Sequence, residues 1–214
     1  MIAIDATASI DEQARQIKAL LRTMMNGPVS TAMRERGLTY KVNFGVELPR
    51  LKTWAEVLPH THELAQRLWR EDIRECRLLA GLLQPIETFD AELAEFWIDS
   101  IRFPEEAECT SMHLFSRMSD ASIYAFRWIA HPNTTYNQCG YMVLSRLLMQ
   151  GAQLSARDED EFLNQVEVAL RSTHTPVRLA AHKCLLKYMD QGDSQADKAD
   201  ALLLKLEQAT EQGV

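Results

Sequence analysis

The chain has no Cys-x-x-Cys pair, no apolar run of membrane-spanning length and no convincing strand-length alternation of apolar and polar residues. Each absence closes off a class. Cys76, Cys109, Cys139 and Cys184 stand 33, 30 and 45 positions apart, too far for a zinc ribbon and without the density of a secreted disulfide scaffold. Small buried packing residues are the expected role of such thiols. A bilayer span needs about 20 consecutive apolar residues, so no membrane association is expected. Met1-Ile2-Ala3-Ile4-Asp5 lacks the basic start and apolar stretch of a secretion signal, and the expected compartment is the cytoplasm. There is no Gly-rich phosphate loop, and His60-Thr61-His62-Glu63 lacks the i, i+4 histidine pair of a zinc protease. Neither a metal nor a cofactor is expected.

What is present is ordinary globular material, with 46% hydrophobic and 25% charged residues and a net charge of −7. The charge is uneven. Residues 1–54 carry 8 Lys/Arg against 5 Asp/Glu, a balance of +3, whereas residues 55–154 carry 8 against 14 and residues 155–214 carry 7 against 11. Lys and Arg contacts to phosphates supply most non-specific DNA affinity, so an acidic protein binds DNA only through a local basic face. Arg34, Arg36, Lys41, Arg50 and Lys52 are the candidates for such a face. Residues 84–115 are the reverse, with eight acids against the single base Arg102.

The eight Gly and seven Pro fall mostly between segments of helical periodicity. Ser9-Ile10-Asp11-Glu12 is a capping box leading into a helix through Met24, which Asn26-Gly27-Pro28 ends. A short helix fits 30–36, Tyr40 to Gly45 is extended, and Leu48 to Leu58 is helical behind Pro49. Further helices are expected over 62–69, 73–83, 90–101, 104–117, 120–130, 135–150, 156–171, 176–189 and 195–209. Trp54, Trp69, Trp97 and Trp128 fall among apolar residues at helical spacing and belong to the core. The run from Thr175 to Leu186 has a cap, Pro176 in the first turn, then Val-Arg-x-Ala-Ala-x-x-Cys-Leu, as in the second helix of a HEAT-type hairpin. Ile73-Arg74-Glu75-Cys76 is a weaker copy. The expected fold is all-α: one domain over 1–214, a right-handed α-α superhelix of about six HEAT/ARM-like hairpins, with 195–209 as a capping helix.

Phe44-Gly45-Val46-Glu47-Leu48-Pro49-Arg50, His62-Glu63-Leu64-Ala65, Arg74-Glu75-Cys76-Arg77, Phe96-Trp97-Ile98 and Met112-His113-Leu114-Phe115 occur in that order. Together they resemble the DNA alkylation repair family of HEAT-like-repeat alkylpurine DNA glycosylases over about residues 35–190. The resemblance implies a concave face that cradles duplex DNA, alkylated or distorted. It also implies release of N3- or N7-alkylated purines, whose positive charge already makes them good leaving groups. The family places a Trp and an Asp four residues apart on one helix, with an Arg and a second Trp on later helices.

Carried onto this chain, the Asp position falls on Glu108 and the Trp position on Pro104. The Arg position falls near Cys139-Gly140, where no basic residue stands, and the second Trp position falls near Lys183. Glu108 is the candidate catalytic carboxylate, one methylene longer than the family's Asp. Its alternative role, shared with Glu105 and Glu106, is favourable charge at a helix start. Arg74, Arg178 and Lys183 are further candidate phosphate contacts, against the alternative that such arginines pair with acids in neighbouring hairpins. The implied function is DNA binding with base release weak or absent. The competing expectation is a non-catalytic scaffold whose concave groove takes a protein partner.

Overall fold

The computed structural model describes residues 4–211. Among these residues are twelve α-helices, two short 3-10 turns and no strand; the one β-type contact is an isolated parallel bridge between Val42 and Ile73. No helix among the described residues is long and apolar enough to cross a membrane. The chain forms two compact units, divided between Leu93 and Ala94.

The first unit holds α1 (Ile10–Thr23), α2 (Gly27–Glu35), α3 (Leu48–Ala55), α4 (His62–Trp69) and α5 (Arg74–Leu83). Polar caps set the starts of three of them. Ser9 accepts from the Glu12 N–H, Asn26 from Val29 and Thr61 from Leu64, each satisfying a donor that has no partner inside its helix. Asn26-Gly27-Pro28 therefore opens α2 three residues earlier than the sequence pattern suggests. Pro28 is tolerated in the first turn because its missing N–H is one of those orphan positions. α3 stops at Ala55 rather than Leu58. Ile17, Leu21, Leu51, Leu64, Leu68, Leu79 and Leu83 are wholly removed from solvent and form this unit's core.

The division falls within α6 (Ala91–Ser100). Beyond it lie α7 (Pro104–His113), α8 (Ala121–Ile129), α9 (Thr134–Met149), α10 (Ala156–Leu170), α11 (Thr175–Met189) and α12 (Asp193–Glu211). The helix expected over 104–117 ends at His113 and is followed by a 3-10 turn, Phe115–Arg117. The cap of α11 is His174, not Thr175, and makes no side-chain cap bond; Thr175 is the first helical residue. Trp97, Trp128, Tyr141, Tyr188, Phe115 and Phe162 fill this core, with Phe115 edge-on to Trp128 at 5.7 Å. Trp69, Trp97 and Trp128 are buried as expected, and Trp54 is half-buried. All four cysteines are buried free thiols, consistent with a packing role.

Small residues allow close helix approach where the sequence pattern places them. Ala180, Ala181 and Cys184 on α11 are fully buried. On α9, a Cβ at Gly140 would lie 2.7 Å from both the Ala125 carbonyl oxygen and the Ile129 nitrogen, so only a hydrogen there lets α9 meet α8.

Candidate nucleic-acid interface and the Glu108 site

The extended segment before α3 is shaped by a buried carboxylate. Glu75, fully buried on α5, accepts the backbone N–H of Phe44 and that of Val46, each at 3.1 Å. Arg74 is 3% exposed; it donates to the Val46 carbonyl at 2.8 Å and lies 3.3 Å from the Glu75 carboxylate. Arg77 lies 4.0 Å over the Trp69 ring and donates to that residue's carbonyl. The other side of the segment is held by α2. The Asn26 N–H bonds the Phe44 carbonyl, and the Ser30 hydroxyl bonds the Asn43 carbonyl. Gly45 sits between at φ +72°, a region that favours glycine.

Two sequence pieces that carry the family resemblance thus meet in one structural device. It also corrects one expectation. Arg74 is desolvated and committed to Val46 and Glu75, so it offers no donor to a phosphate.

The cations of the first unit are placed differently. Arg34, Arg36, Lys41, Arg50 and Lys52 are all exposed, and none has an ion-pair partner among the described residues. α1 adds a row outside the candidates drawn from charge balance: Arg15, Lys18 and Arg22, at helical spacing on one face. They line a depression of about 320 Å³ whose other side is Val42, Phe44 and Ile73. Amphipathic spacing marks α1's buried stripe, and the same spacing applied to its charges would find this row.

In the second unit the structure brings two predicted residues together. Glu108 on α7 and Lys183 on α11 form an ion pair, Nζ to Oε1, at 3.3 Å. Both side chains are about half exposed, at 51% and 54%. The start of α7 is fixed from two directions. Glu106, fully buried, turns its carboxylate back onto the Arg102 N–H at 3.0 Å, and Gln138 on α9 donates to the Pro104 carbonyl at 3.1 Å. Glu106 therefore serves the helix start, while Glu108, two residues on, faces solvent. Arg178 is half-buried and spends its guanidinium locally, on the Ser172 carbonyl at 2.9 Å and the Thr175 hydroxyl at 3.4 Å.

Chemically, this arrangement suits cation stabilisation poorly. A carboxylate favours a developing sugar cation most when it is preorganised in a dry, low-dielectric site. Glu108 is wet, and an ammonium already stands at hydrogen-bond distance from it. The Pro104 position offers no aromatic face. Among the described residues there is no cluster of three or more His, Cys, Asp or Glu able to hold a metal ion.

The helical path is that of the HEAT-like repeat DNA glycosylase fold. The chain matches a solved protein from a family described as related to the HEAT-like repeat DNA glycosylases and as having affinity for branched DNA structures. The TM-score is 0.79 at 17% identity, over 88% of this chain and 80% of the other. No curated protein matches the chain by sequence. The sequence model of the DNA alkylation repair enzymes matches residues 17–199, and the chain belongs to that family.

Proposed function

We propose that this protein binds DNA through phosphate contacts made by the first unit, and that it recognises duplex or distorted structure without releasing alkylated bases. The observation that carries the reading is the set of five exposed cations, Arg34, Arg36, Lys41, Arg50 and Lys52, with no acid partner among the described residues. In residues 1–54, whose balance is +3, their counterions are free to be displaced by phosphates. The branched-DNA affinity of the structurally similar family supports a partner defined by DNA shape rather than base chemistry. The Glu108–Lys183 pair supports loss of catalysis, since the ammonium would oppose the sugar cation that the carboxylate should stabilise.

Binding of a plain duplex and of a four-way junction, measured by fluorescence anisotropy from low to high salt, tests this reading. Removing one cation that touches a phosphate should flatten the log–log salt slope by about 1, so replacing all five with Ala should flatten it by several. An unchanged slope would remove these residues from the interface. The competing reading is a protein-binding scaffold, favoured by the exposed Leu179 and Leu186 on α11 and by the acidic remainder of the chain. Absence of any salt-sensitive DNA binding would favour it.

A further inference from the structure

We propose that the depression beside α1 is a site for a single phosphodiester strand with its bases unstacked, such as the unpaired arm at a DNA branch. This rests on the DNA-binding reading above and names a substrate and a place within it.

The depression has two unlike sides. Arg15, Lys18 and Arg22 form one, and Val42, Phe44 and Ile73 form the other, around about 320 Å³. A duplex keeps its bases stacked inside and offers phosphates to a protein surface, so an apolar wall would meet nothing useful. A single strand offers both chemistries at once, phosphates to the cations and the apolar face of a base to the wall. Val42 and Ile73 are the wall's partly exposed members, and Phe44 lies buried behind.

Arg15 and Arg22 are seven residues apart on α1, about 10 Å along the axis, so the row is long enough to meet more than one phosphate of an extended strand. At the end of this row, Met24 caps α1 and lines a second depression of about 170 Å³ together with Gly45, Val46 and Arg50. The two depressions share the 42–46 segment, one beside Val42 and Phe44, the other beside Gly45 and Val46. Arg50 lines the second depression beside the exposed acid Glu47, which opposes its charge there.

The cations are available at small cost. Arg22 is exposed and has no ion-pair partner among the described residues. Among the described residues Arg15 pairs with Glu12 one turn away, in a contact where the Arg side chain is 70% exposed, and such pairs hold weakly. Lys18 bonds Glu71 at 2.7 Å, but Glu71 also accepts from Arg67 at 2.7 Å. Glu71 thus keeps a cationic partner when Lys18 turns toward a phosphate. The apolar wall is preorganised, because Glu75 pins Phe44 through its backbone and the Val42–Ile73 bridge fixes the wall's edge.

The test compares an oligothymidylate with a duplex of equal length, both at fixed salt. Three full-length proteins are used: wild type, Arg15→Ala/Arg22→Ala and Ala19→Gln. Ala19 is an exposed residue lining the depression, so a longer neutral side chain there obstructs the site with every cation retained. The expected result is a loss of roughly tenfold or more in strand affinity in both variants, with duplex affinity changed less than about threefold. Equal losses for strand and duplex would overturn the proposal, making this row part of a general phosphate surface. Unchanged strand binding would overturn it too. Wild type binding the duplex but not the strand sinks this proposal alone, whereas binding of neither sinks the DNA-binding reading with it.

Discussion

Lys183 on α11 meets Glu108 on α7 across 75 residues of sequence, Nζ to Oε1 at 3.3 Å. Lys183 stands near where the family resemblance would place a second Trp, and Glu108 where it would place the Asp. An aromatic face at the first position would exclude water and stack on a base. An ammonium does neither, and it brings its hydration with it. The pair keeps the two helices' exposed faces electrostatically matched, yet at about half exposure it adds little stability. It leaves the Glu108 carboxylate with a cation already beside it.

Base release is the first quantity this predicts. Wild type and Glu108→Gln should both free 3-methyladenine and 7-methylguanine from alkylated duplex at the spontaneous rate. Lys183→Ala should change stability by less than about 1 kcal/mol, because exposed pairs contribute about that much or less. Chromatographic quantification of released bases decides the matter. Release by wild type that vanishes in Glu108→Gln would restore Glu108 as a catalytic carboxylate and overturn the non-catalytic reading.

Glu75 should be the costliest acid to remove. Glu75→Ala deprives the Phe44 and Val46 amides of their acceptor and leaves Arg74 buried without its carboxylate neighbour. Breaking a buried pair from one side costs about 3–5 kcal/mol. Urea denaturation should show a loss of that size, and hydrogen exchange should accelerate first at the amides of residues 44 and 46. A loss under about 1 kcal/mol would mean that the segment holds its shape without the carboxylate.

Caps, proline positions and apolar spacing make the helices legible, because these are local signals. The pattern over 135–150 reads as a helix and α9 spans Thr134–Met149; 62–69 is matched by His62–Trp69. Errors arise where one residue type serves two ends. Asn26-Gly27-Pro28 can stop a helix or start one, and the Asn26 side chain's bond to the Val29 N–H selects the start.

The site is less legible. Whether an Arg is wet or buried depends on partners far away in sequence: Arg74 is buried because Val46, 28 positions earlier, turns its carbonyl toward it. Arg178 carries the same HEAT-like pattern, yet it closes on Ser172 beside its own helix start. Glu108 and Lys183 both stand out in the sequence, but nothing in a linear pattern brings them to 3.3 Å.

The stability of the fold should fall away at both ends of the pH scale, for identifiable reasons. The Lys198 ammonium, and then the Tyr188 hydroxyl, hold the Glu159 carboxyl below its ordinary 4.5. Burial raises Glu71, but hydrogen bonds from Lys18 and Arg67 outweigh it and leave that carboxyl lowered as well. A depressed acid stabilises the fold above its unfolded value, so this contribution is complete above about pH 4.5 and is lost as pH falls through the folded values. On the alkaline side, burial first and the bond to Glu159 second raise Tyr188, and burial pushes the Cys139 thiol to about 12. Groups held neutral in this way stabilise below their ordinary values by nothing, and their cost to the fold grows as pH rises past about 9 to 10, where the unfolded chain would ionise them. Thermal melts should show a plateau between these limits. Glu159→Gln should flatten the acid limb and Tyr188→Phe the alkaline limb; limbs unmoved by both would assign the pH dependence elsewhere.

Gly45 and Gly140 should tolerate a methyl group badly, and for different reasons. At Gly45 the backbone is in the left-handed region at φ +72°, and a Cβ would stand 2.3 Å from the Asn26 carbonyl oxygen and 2.8 Å from the Ser30 nitrogen. Both are backbone atoms at the start of α2, so relief requires the segment to lift off that helix. Gly140 is helical and unstrained, but its Cβ would press on the backbone of α8, and the two helices would have to separate. Overpacking of this kind costs about 1–3 kcal/mol, and conformational strain adds to it at Gly45. Gly27 is the matched control, since a Cβ there meets nothing within 4 Å and its backbone is not in the left-handed region. Gly45→Ala should lose the most stability in denaturant titration, Gly140→Ala less, and Gly27→Ala close to none. Gly45→Ala should also weaken single-strand binding, because Phe44 forms part of the wall beside α1, whereas Gly140→Ala, in the other unit, should leave it unchanged. Equal binding losses in the two variants, at temperatures where both remain folded, would separate that wall from the bound strand.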